Sequence, residues 1–234
     1  MPGHPRHGVP TLPDLNFARD GAQLWPAAIG SDVLRGIEAG IAGVPQDRAG
    51  VRLQGIAALH PILASSGAVG AVAASVLGPD CRPVRAILFD KTAAASWALP
   101  WHQDRTVAVR ERVDVPGFGP WTVKAGMPHV APPVAVLAGM ATLRVHLDPV
   151  TADNAPLLVA PGSHRFGRVT QAEVPGAVER CGAVACLAAA GDVWLYATLI
   201  LHASDAAAAP RQRRVLQVDY ALGGLPGGLR WLGV

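Results

Sequence analysis

From Val84 onward the chain is written as short apolar or alternating runs, at 84–90, 105–111, 121–124, 141–148, 157–160, 183–187, 193–196, 198–203 and 213–221, cut apart by Gly, Pro, Asp and Asn. Runs of this length are strands, and their spacing suits an antiparallel sandwich or barrel. Helical signals lie earlier. Ser31 can cap a segment whose Val33, Leu34, Ile37 and Ile41 share one face. A second segment starts near Gly67, keeps Val69, Val72 and Val76 in helical period, and meets a stop at Gly78 and Pro79. No fixed-period repeat, heptad pattern or internal low-complexity linker interrupts the chain. The expected architecture is therefore mainly β with flanking α: one jelly roll, cupin-like, with the N-terminal helices packed outside. Residues 14–234 read as one domain, and Met1–Pro13, rich in Pro, Gly and His, as a flexible tail.

Composition excludes several classes. Half of the 234 residues are hydrophobic, yet Pro128, Pro132, Pro133 and Asp192 break every run that could approach the roughly 20 residues of a membrane helix. The N-terminus has neither a secretory signal nor a clear transit peptide, so a cytoplasmic location is expected. Cys81, Cys181 and Cys186 make no even disulfide framework and no C-x-x-C pair, which points to reduced thiols. The 20 basic against 17 acidic residues give a net charge of +3, and the arginines are scattered. That distribution speaks against nucleic acid as a partner, leaves room for a small-anion pocket, and no obligatory protein partner is evident.

The chemistry starts from Trp101-His102-Gln103-Asp104. On a strand, residues i and i+2 point the same way, so this His-x-Asp can offer an imidazole and a carboxylate to one ion. A third donor, His202, ends the apolar run Leu199-Ile200-Leu201. Two neutral imidazoles and one carboxylate leave a divalent iron with three open positions on one face, which a bidentate keto acid and oxygen can fill. The far carboxylate of 2-oxoglutarate then needs a fork of donors. Arg213 supplies one, on a strand that puts Arg213, Val215 and Gln217 on one face and Arg214, Leu216, Val218 and Tyr220 on the other. Ser204 can add a hydroxyl. A second His-x-Asp, His146-Leu147-Asp148, has the same spacing, so by spacing alone both pairs qualify.

His102-Gln103-Asp104, the stretch Thr142 to Asp148 with Asn154-Ala155-Pro156-Leu157 and Ala160-Pro161-Gly162-Ser163-His164, and His202-x-Ser204 with Arg213 eleven positions after His202, together resemble the phytanoyl-CoA dioxygenase family. The resemblance implies a double-stranded β-helix in which His102, Asp104 and His202 bind iron(II), Arg213 binds 2-oxoglutarate and Ser204 assists. It favours the first His-x-Asp over the second. The family's usual Asn-Gly is Asn154-Ala155 here. The fuller pattern, Phe89-Asp90-Lys91, Trp97 to Asp104 and Gly117 to Gly126, is similar to bacterial members of unassigned substrate.

What the resemblance implies is an iron(II)- and 2-oxoglutarate-dependent dioxygenase that uses O2 to hydroxylate an unactivated carbon, releasing succinate and CO2. Asp104 fills the position that halogenating relatives leave open, which disfavours halogenation, whereas desaturation or cyclisation stays open. Lys91 and Lys124, flanked by aromatics, can bind anions instead of water. Lys91 is assigned to the cosubstrate, and Trp97, Trp101, Trp121, Lys124 and Arg144 to a small polar or anionic substrate, against the plainer reading of tryptophans as core. Arg105 and Arg110 are expected in the same basic cluster, His164 in a turn or at the substrate, and His4, His7, His60 and His129 as structural or exposed. G-x-S-x-G, G-x-x-x-x-G-K-[ST] and G-x-G-x-x-G are all missing from the sequence, so hydrolase, phosphate-loop and Rossmann chemistry lack their central parts. A zinc hydrolase would leave Arg213 and Ser204 unexplained. The rival from another class is a non-catalytic jelly-roll module that binds a metal or ligand.

Overall fold

A computed structural model describes residues 14–45, 50–91, 98–208 and 211–234. The expected tail Met1–Pro13, with His4 and His7, and the candidate Trp97 lie outside them. Among the described residues the strands are β1 (Ala22–Trp25), β2 (Gly50–Leu53), β3 (Arg82–Lys91), β4 (Leu99–His102), β5 (Val107–Ala108), β6 (Trp121–Lys124), β7 (Met127–Val130), β8 (Met140–His146), β9 (Leu157–Val159), β10 (Val184–Cys186), β11 (Val193–Ala197), β12 (His202–Ser204) and β13 (Arg213–Ala221). The helices are α1 (Phe17–Asp20), α2 (Ser31–Ile41), α3 (His60–Leu63), α4 (Gly70–Leu77), α5 (Val134–Ala138) and α6 (Val174–Cys181). A large sheet runs β1-β11-β8-β13-β3-β2, a second runs β10-β9-β12-β4, and β5-β7-β6 form a small third. All named pairings are antiparallel.

The large sheet is polarised by its period of two. On its outer face one cross-strand row is Leu88, Leu216, Val145 and Val193, and the next is Ala86, Val218, Leu143 and Leu195. These rows pack with Ile37 and Ile41 of α2, Leu59 and Leu63, and Val72 and Ala73 of α4 into one buried cluster. Each fully buried Val, Leu or Ile there contributes on the order of 1.5–3 kcal/mol, so this face carries much of the stability. The inner face is different. Its rows are Ile87, Gln217, Arg144 and Trp194; Arg85, Asp219, Thr142 and Tyr196; Phe89, Val215 and His146; and Lys91 with Arg213. The second sheet faces it, and Leu157, Val159, Cys186 and Ile200 join Trp194 and Tyr196 in an inter-sheet core at one end. That leaves the charged rows to line the other.

Several expectations shift in detail. Gly30 occupies the cap of α2 without a side-chain hydrogen bond, and Ser31 is its first helical residue. The second helix starts at Gly70, not Gly67, and closes at Gly78 with φ 93°. A Cβ at Gly67 or Gly70 would run into the carbonyl oxygens of Pro61 or Ala64, so the two glycines let α4 cross the preceding turn closely. The runs 121–124 and 213–221 form strands with those bounds, whereas 105–111 shrinks to β5 and 198–203 to β12. Residues 197–200 instead close a turn, with Ile200 N donating to Ala197 O at 2.9 Å. Four strands escaped the pattern: β1, β2, β4 and β7. Pro100 in β4 and Pro128 in β7 break a strand signature, and β1, β2 and β4 lie at sheet edges. No helix among the described residues is long and apolar enough to cross a membrane, and Cys81, Cys181 and Cys186 are free thiols.

Candidate active site

A cavity of about 190 Å³ opens between the charged inner face of the large sheet and the edge of the second sheet. At one end β4 and β12 pair with His102 directly opposite His202, and the two rings lie 4.3 Å apart between centroids, tilted by 56°. Each ring is fixed in the same way. Nδ1 of His102 donates to Pro100 O at 2.8 Å and Nδ1 of His202 to Ile200 O at 3.0 Å. Because a carbonyl can only accept, the proton sits on Nδ1 and the Nε2 lone pair is left for a cation. Burial, partly offset by Asp104, pushes the buried His202 down to about 4, so its ring is neutral at physiological pH.

Asp104 lies just past the end of β4 rather than on the strand, yet lines the same cavity as His102 and His202. Gln103 points the other way and clamps the loop: its Nε2 donates to Gly167 O at 2.8 Å and Leu199 O at 2.7 Å, and its Oε1 accepts from Val169 N at 2.9 Å. Among the described residues no three His, Cys, Asp or Glu side chains are drawn into a closed metal cage. Asp104 is held instead by Arg85. Its Nη2 reaches Asp104 Oδ2 at 3.3 Å while its Nε donates to Asp219 Oδ2 at 2.6 Å, and Thr142 Oγ1 donates to Asp219 Oδ1 at 3.2 Å. Asp104 Oδ1 accepts no hydrogen bond from a described residue, so one carboxylate oxygen stays available. Burial works against the Asp104 charge, but Arg85, then His202 and His102, outweigh it and hold the carboxyl below its usual range. Two imidazoles in the ligating tautomer beside one ionised carboxylate match what a divalent iron takes.

The opposite end is cationic. Arg213 is buried, its Nη1 donating to the carbonyls of Ala155 and Asn154, while its Nε is buried without a partner. Lys91 stands opposite Arg213 in the β3–β13 ladder, and its Nζ donates to Ser204 Oγ at 3.1 Å. Burial, then Arg213 and Arg144, push the Lys91 ammonium down to about 8. Arg144 donates through Nη1 to Gln217 Oε1 at 3.0 Å and lies 5.2 Å over the Phe89 ring. Neither Arg213 nor Arg144 has a carboxylate partner among the described residues. Guanidinium groups held this way are matched to an incoming carboxylate. The turn that holds Arg213 survives its departure from Asn-Gly: Ala155 adopts φ 51°, and its carbonyl accepts from both Arg213 and Ser204.

The remaining candidates divide. Lys124 lines the cavity and donates to Thr106 Oγ1 at 3.2 Å. Trp101 and Trp121 do not line it, which corrects the substrate-wall reading. Trp101 shares the orientation of Gln103 and packs on the cluster of Val169, Val174 and Leu201, and Trp121 packs near Val107, Val130 and Leu137 with Arg112 over its ring. Arg105 is also outside the cavity, donating to Val169 O at 2.6 Å, and Arg110 is exposed elsewhere. Their places are taken by Arg52 and Arg85, which the sequence did not single out. No local signal marked them, because their place on the inner face is set by cross-strand pairing. His129 is fully buried, not exposed; its Nδ1 donates to Met127 O at 2.9 Å. His60 is exposed and bonds Val234 O at 2.9 Å, and His164 packs its ring against Gly21, so it belongs to a turn. Arg214 points outward to Asp148 and Glu38.

A family model described as phytanoyl-CoA dioxygenase matches residues 57–215. No curated protein matches the chain by sequence. Among solved structures, EctD from S. alaskensis with 2-oxoglutarate and 5-hydroxyectoine is 20% identical, with a TM-score of 0.64 over 93% of this chain and 77% of that one. AviO1 from Streptomyces viridochromogenes Tue57 is 22% identical at TM-score 0.63, covering 90% of this chain and 94% of its own. The 2-oxoglutarate-dependent carbocyclase SnoK from nogalamycin biosynthesis is 15% identical at TM-score 0.65, covering 89% and 82%. These likenesses establish the double-stranded β-helix, and the family match spans more than half of the sequence. This chain belongs to the phytanoyl-CoA dioxygenase family of iron(II)- and 2-oxoglutarate-dependent oxygenases.

Proposed function

We propose that this protein is a hydroxylase of a small polar or anionic organic compound, with His102, Asp104 and His202 holding iron(II) and Arg213, Lys91 and Ser204 holding 2-oxoglutarate. The observation that carries the reading is the polarity of one cavity: two imidazoles in the ligating tautomer with a carboxylate at one end, and at the other a buried guanidinium with no carboxylate partner among the described residues. Bound there, iron(II) supplies oxygen activation coupled to decarboxylation of 2-oxoglutarate, so that substrate C–H, O2 and 2-oxoglutarate give C–OH, succinate and CO2.

The chain's own part is geometric and electrostatic. The carbonyls of Pro100 and Ile200 keep both imidazoles in the tautomer that ligates. Arg85 holds the Asp104 carboxylate in place and ionised. Arg213, steadied by the Ala155 carbonyl, presents a donor fork to the distal carboxylate of the keto acid. Lys91 adds charge at the same end, and Ile87, Leu99 and Leu157 supply the apolar wall that excludes water. The hydroxylase reading is supported by the relative crystallised with 5-hydroxyectoine, while the carbocyclase relative carries the ring-forming alternative. Anaerobic addition of iron(II) and 2-oxoglutarate should give the weak visible charge-transfer band of a chelated keto acid, and oxygen should then yield succinate. A colourless mixture that binds neither would favour a non-catalytic module.

A further inference from the structure

The cavity holds more positive charge than one keto acid accounts for. Arg52, Arg85, Lys91, Lys124, Arg144 and Arg213 line it, against the Asp104 carboxylate. Three of these cations, Lys91, Arg144 and Arg213, gather at the end already described. Arg85 is engaged by Asp219 and Asp104. Arg52 and Lys124 remain.

Arg52 sits on the edge strand β2 directly opposite Ile87, hence on the inner face. Its Nε is buried without a hydrogen-bond partner, and its guanidinium makes no ion pair with a described residue. The register of β3 separates it from the Lys91–Arg213 row by four residues along the strand, about 13 Å. Lys124 comes from the small third sheet, on the β6–β7 hairpin, and touches only the Thr106 hydroxyl among the described residues. The electrostatic neighbours agree with two separate groups. Burial, then Arg85, depresses both Arg52 and Lys124, Asp104 partly offsets this at each, and Arg52 depresses Lys124 further, whereas Lys91 responds to Arg213 and Arg144. Two long cations from different sheets that converge on one cavity, one with an unpartnered buried donor, form a receptor for a carboxylate or phosphoryl oxygen pair.

We propose that Arg52 and Lys124 form a second oxyanion subsite, distinct from the one at Arg213, which takes the carboxylate or phosphoryl group of the primary substrate beside the His102–Asp104–His202 end. Calling that ligand the substrate rests on the oxygenase reading; the subsite itself does not. It limits the substrate to compounds whose oxyanion lies at one end and whose reacting carbon reaches back toward the histidines.

The test uses the full chain held anaerobically with iron(II) and saturating 2-oxoglutarate, titrated calorimetrically with acetate and, separately, methylphosphonate. The parent should bind one equivalent of probe without releasing 2-oxoglutarate, and the tighter of the two probes identifies the head group. Arg52→Gln and Lys124→Gln should each weaken probe binding about tenfold, the scale of one charge-assisted hydrogen bond, while 2-oxoglutarate affinity responds to Arg213→Ala instead. Arg52 is half-buried and Lys124 exposed, so both variants should fold, as circular dichroism would check. The proposal is overturned if the parent binds neither probe, if both glutamine variants bind as the parent does, or if the probes displace 2-oxoglutarate and respond only to Arg213→Ala. If 2-oxoglutarate itself fails to bind while the probes still respond to Arg52→Gln, the oxygenase reading fails and the subsite stands.

Discussion

His102-Gln103-Asp104 and His146-Leu147-Asp148 are spelled alike, and the fold treats them in opposite ways. In the first, both ends of the motif line one cavity with His202, and the middle residue turns away to clamp a loop. In the second, His146 closes β8 on the inner face with neither ring nitrogen hydrogen-bonded, while the chain turns and sends Asp148 outward. There Asp148 Oδ2 accepts from Arg214 N at 2.7 Å and Nε at 2.9 Å, and Oδ1 from Nη2 at 2.7 Å. Both strands end at the histidine, β4 at His102 and β8 at His146, so spacing decides neither pair. What differs is the cation that holds each carboxylate, Arg85 on the inner face for Asp104 and Arg214 on the outer face for Asp148. The sharpest test removes each carboxylate in turn. Asp104→Ala should abolish anaerobic iron binding and turnover together, since it deletes the anionic member of the set, as should His202→Ala. Asp148→Ala should bind iron as the parent does and lose only about 1 kcal/mol of stability, because the Asp148–Arg214 pair is partly exposed to solvent. Iron binding lost in a folded Asp148→Ala protein and kept in Asp104→Ala would transfer the site to His146 and Asp148.

The next effect compares the neighbours Arg213 and Arg214. Arg213 lies on the charged inner face, Arg214 on the outer face with Asp148 and Glu38. Removing a buried guanidinium that grips a carboxylate costs roughly 2 to 5 kcal/mol of binding. Arg213→Ala should lose that much 2-oxoglutarate affinity in an equilibrium titration, and Arg214→Ala none. A reversed result would mean that β13 is slipped by one residue.

How far this was legible in the sequence depended on whether a strand's alternation was intact. β13 alternates without interruption from Arg213 to Asp219, and its bounds, faces and charged residue could all be read. The site histidine at 102 could be read only through its motif, because Leu99-Pro100-Trp101-His102 carries a proline and does not look like a strand. Arg52 and Arg85 were missed for a related reason. Their role comes from cross-strand rows, Arg52 with Ile87 and Arg85 with Asp219, and pairing partners 35 and 134 positions apart cannot be read from local pattern. Trp101, expected at a substrate wall, packs instead on Val169, Val174 and Leu201, because on a strand the residue adjacent to His102 points away from it.

A smaller effect separates the cationic end from the imidazole end by pH. Burial beside Arg213 and Arg144 brings Lys91 down to about 8, so its charge is full below that pH and lost above it. A bound carboxylate favours the charged form and raises that value, so binding above pH 8 must take up a proton. 2-Oxoglutarate affinity should therefore be flat below about 8 and then fall, by up to about tenfold per pH unit. Lys91→Gln should bind more weakly at neutral pH and lose the fall. A fall that persists unchanged in Lys91→Gln would assign the titration to another group.

The smallest effect at neutral pH belongs to His146. Its ring is buried with both nitrogens unpartnered, and burial, then Arg144 and Arg213, push it down to about 3. A buried polar group without a partner stabilises nothing, and an apolar side chain of similar size should replace it at little cost or with a gain of about 1 kcal/mol. His146→Leu should then keep iron binding, the reverse of His202→Ala. Acid makes the difference larger. The unfolded ring titrates at the ordinary imidazole value of about 6.5 and the buried ring only near 3. Between those values the unfolded chain binds a proton that the folded chain does not. The parent thus loses about 1.4 kcal/mol of stability for each pH unit below 6.5 from this residue, and His146→Leu should lose that much less. Chemical unfolding at pH 7.5 and pH 5 would measure both quantities. If the folded His146→Leu protein loses 2-oxoglutarate binding, the ring supports Arg213 after all, and the second His-x-Asp contributes to the site through its histidine.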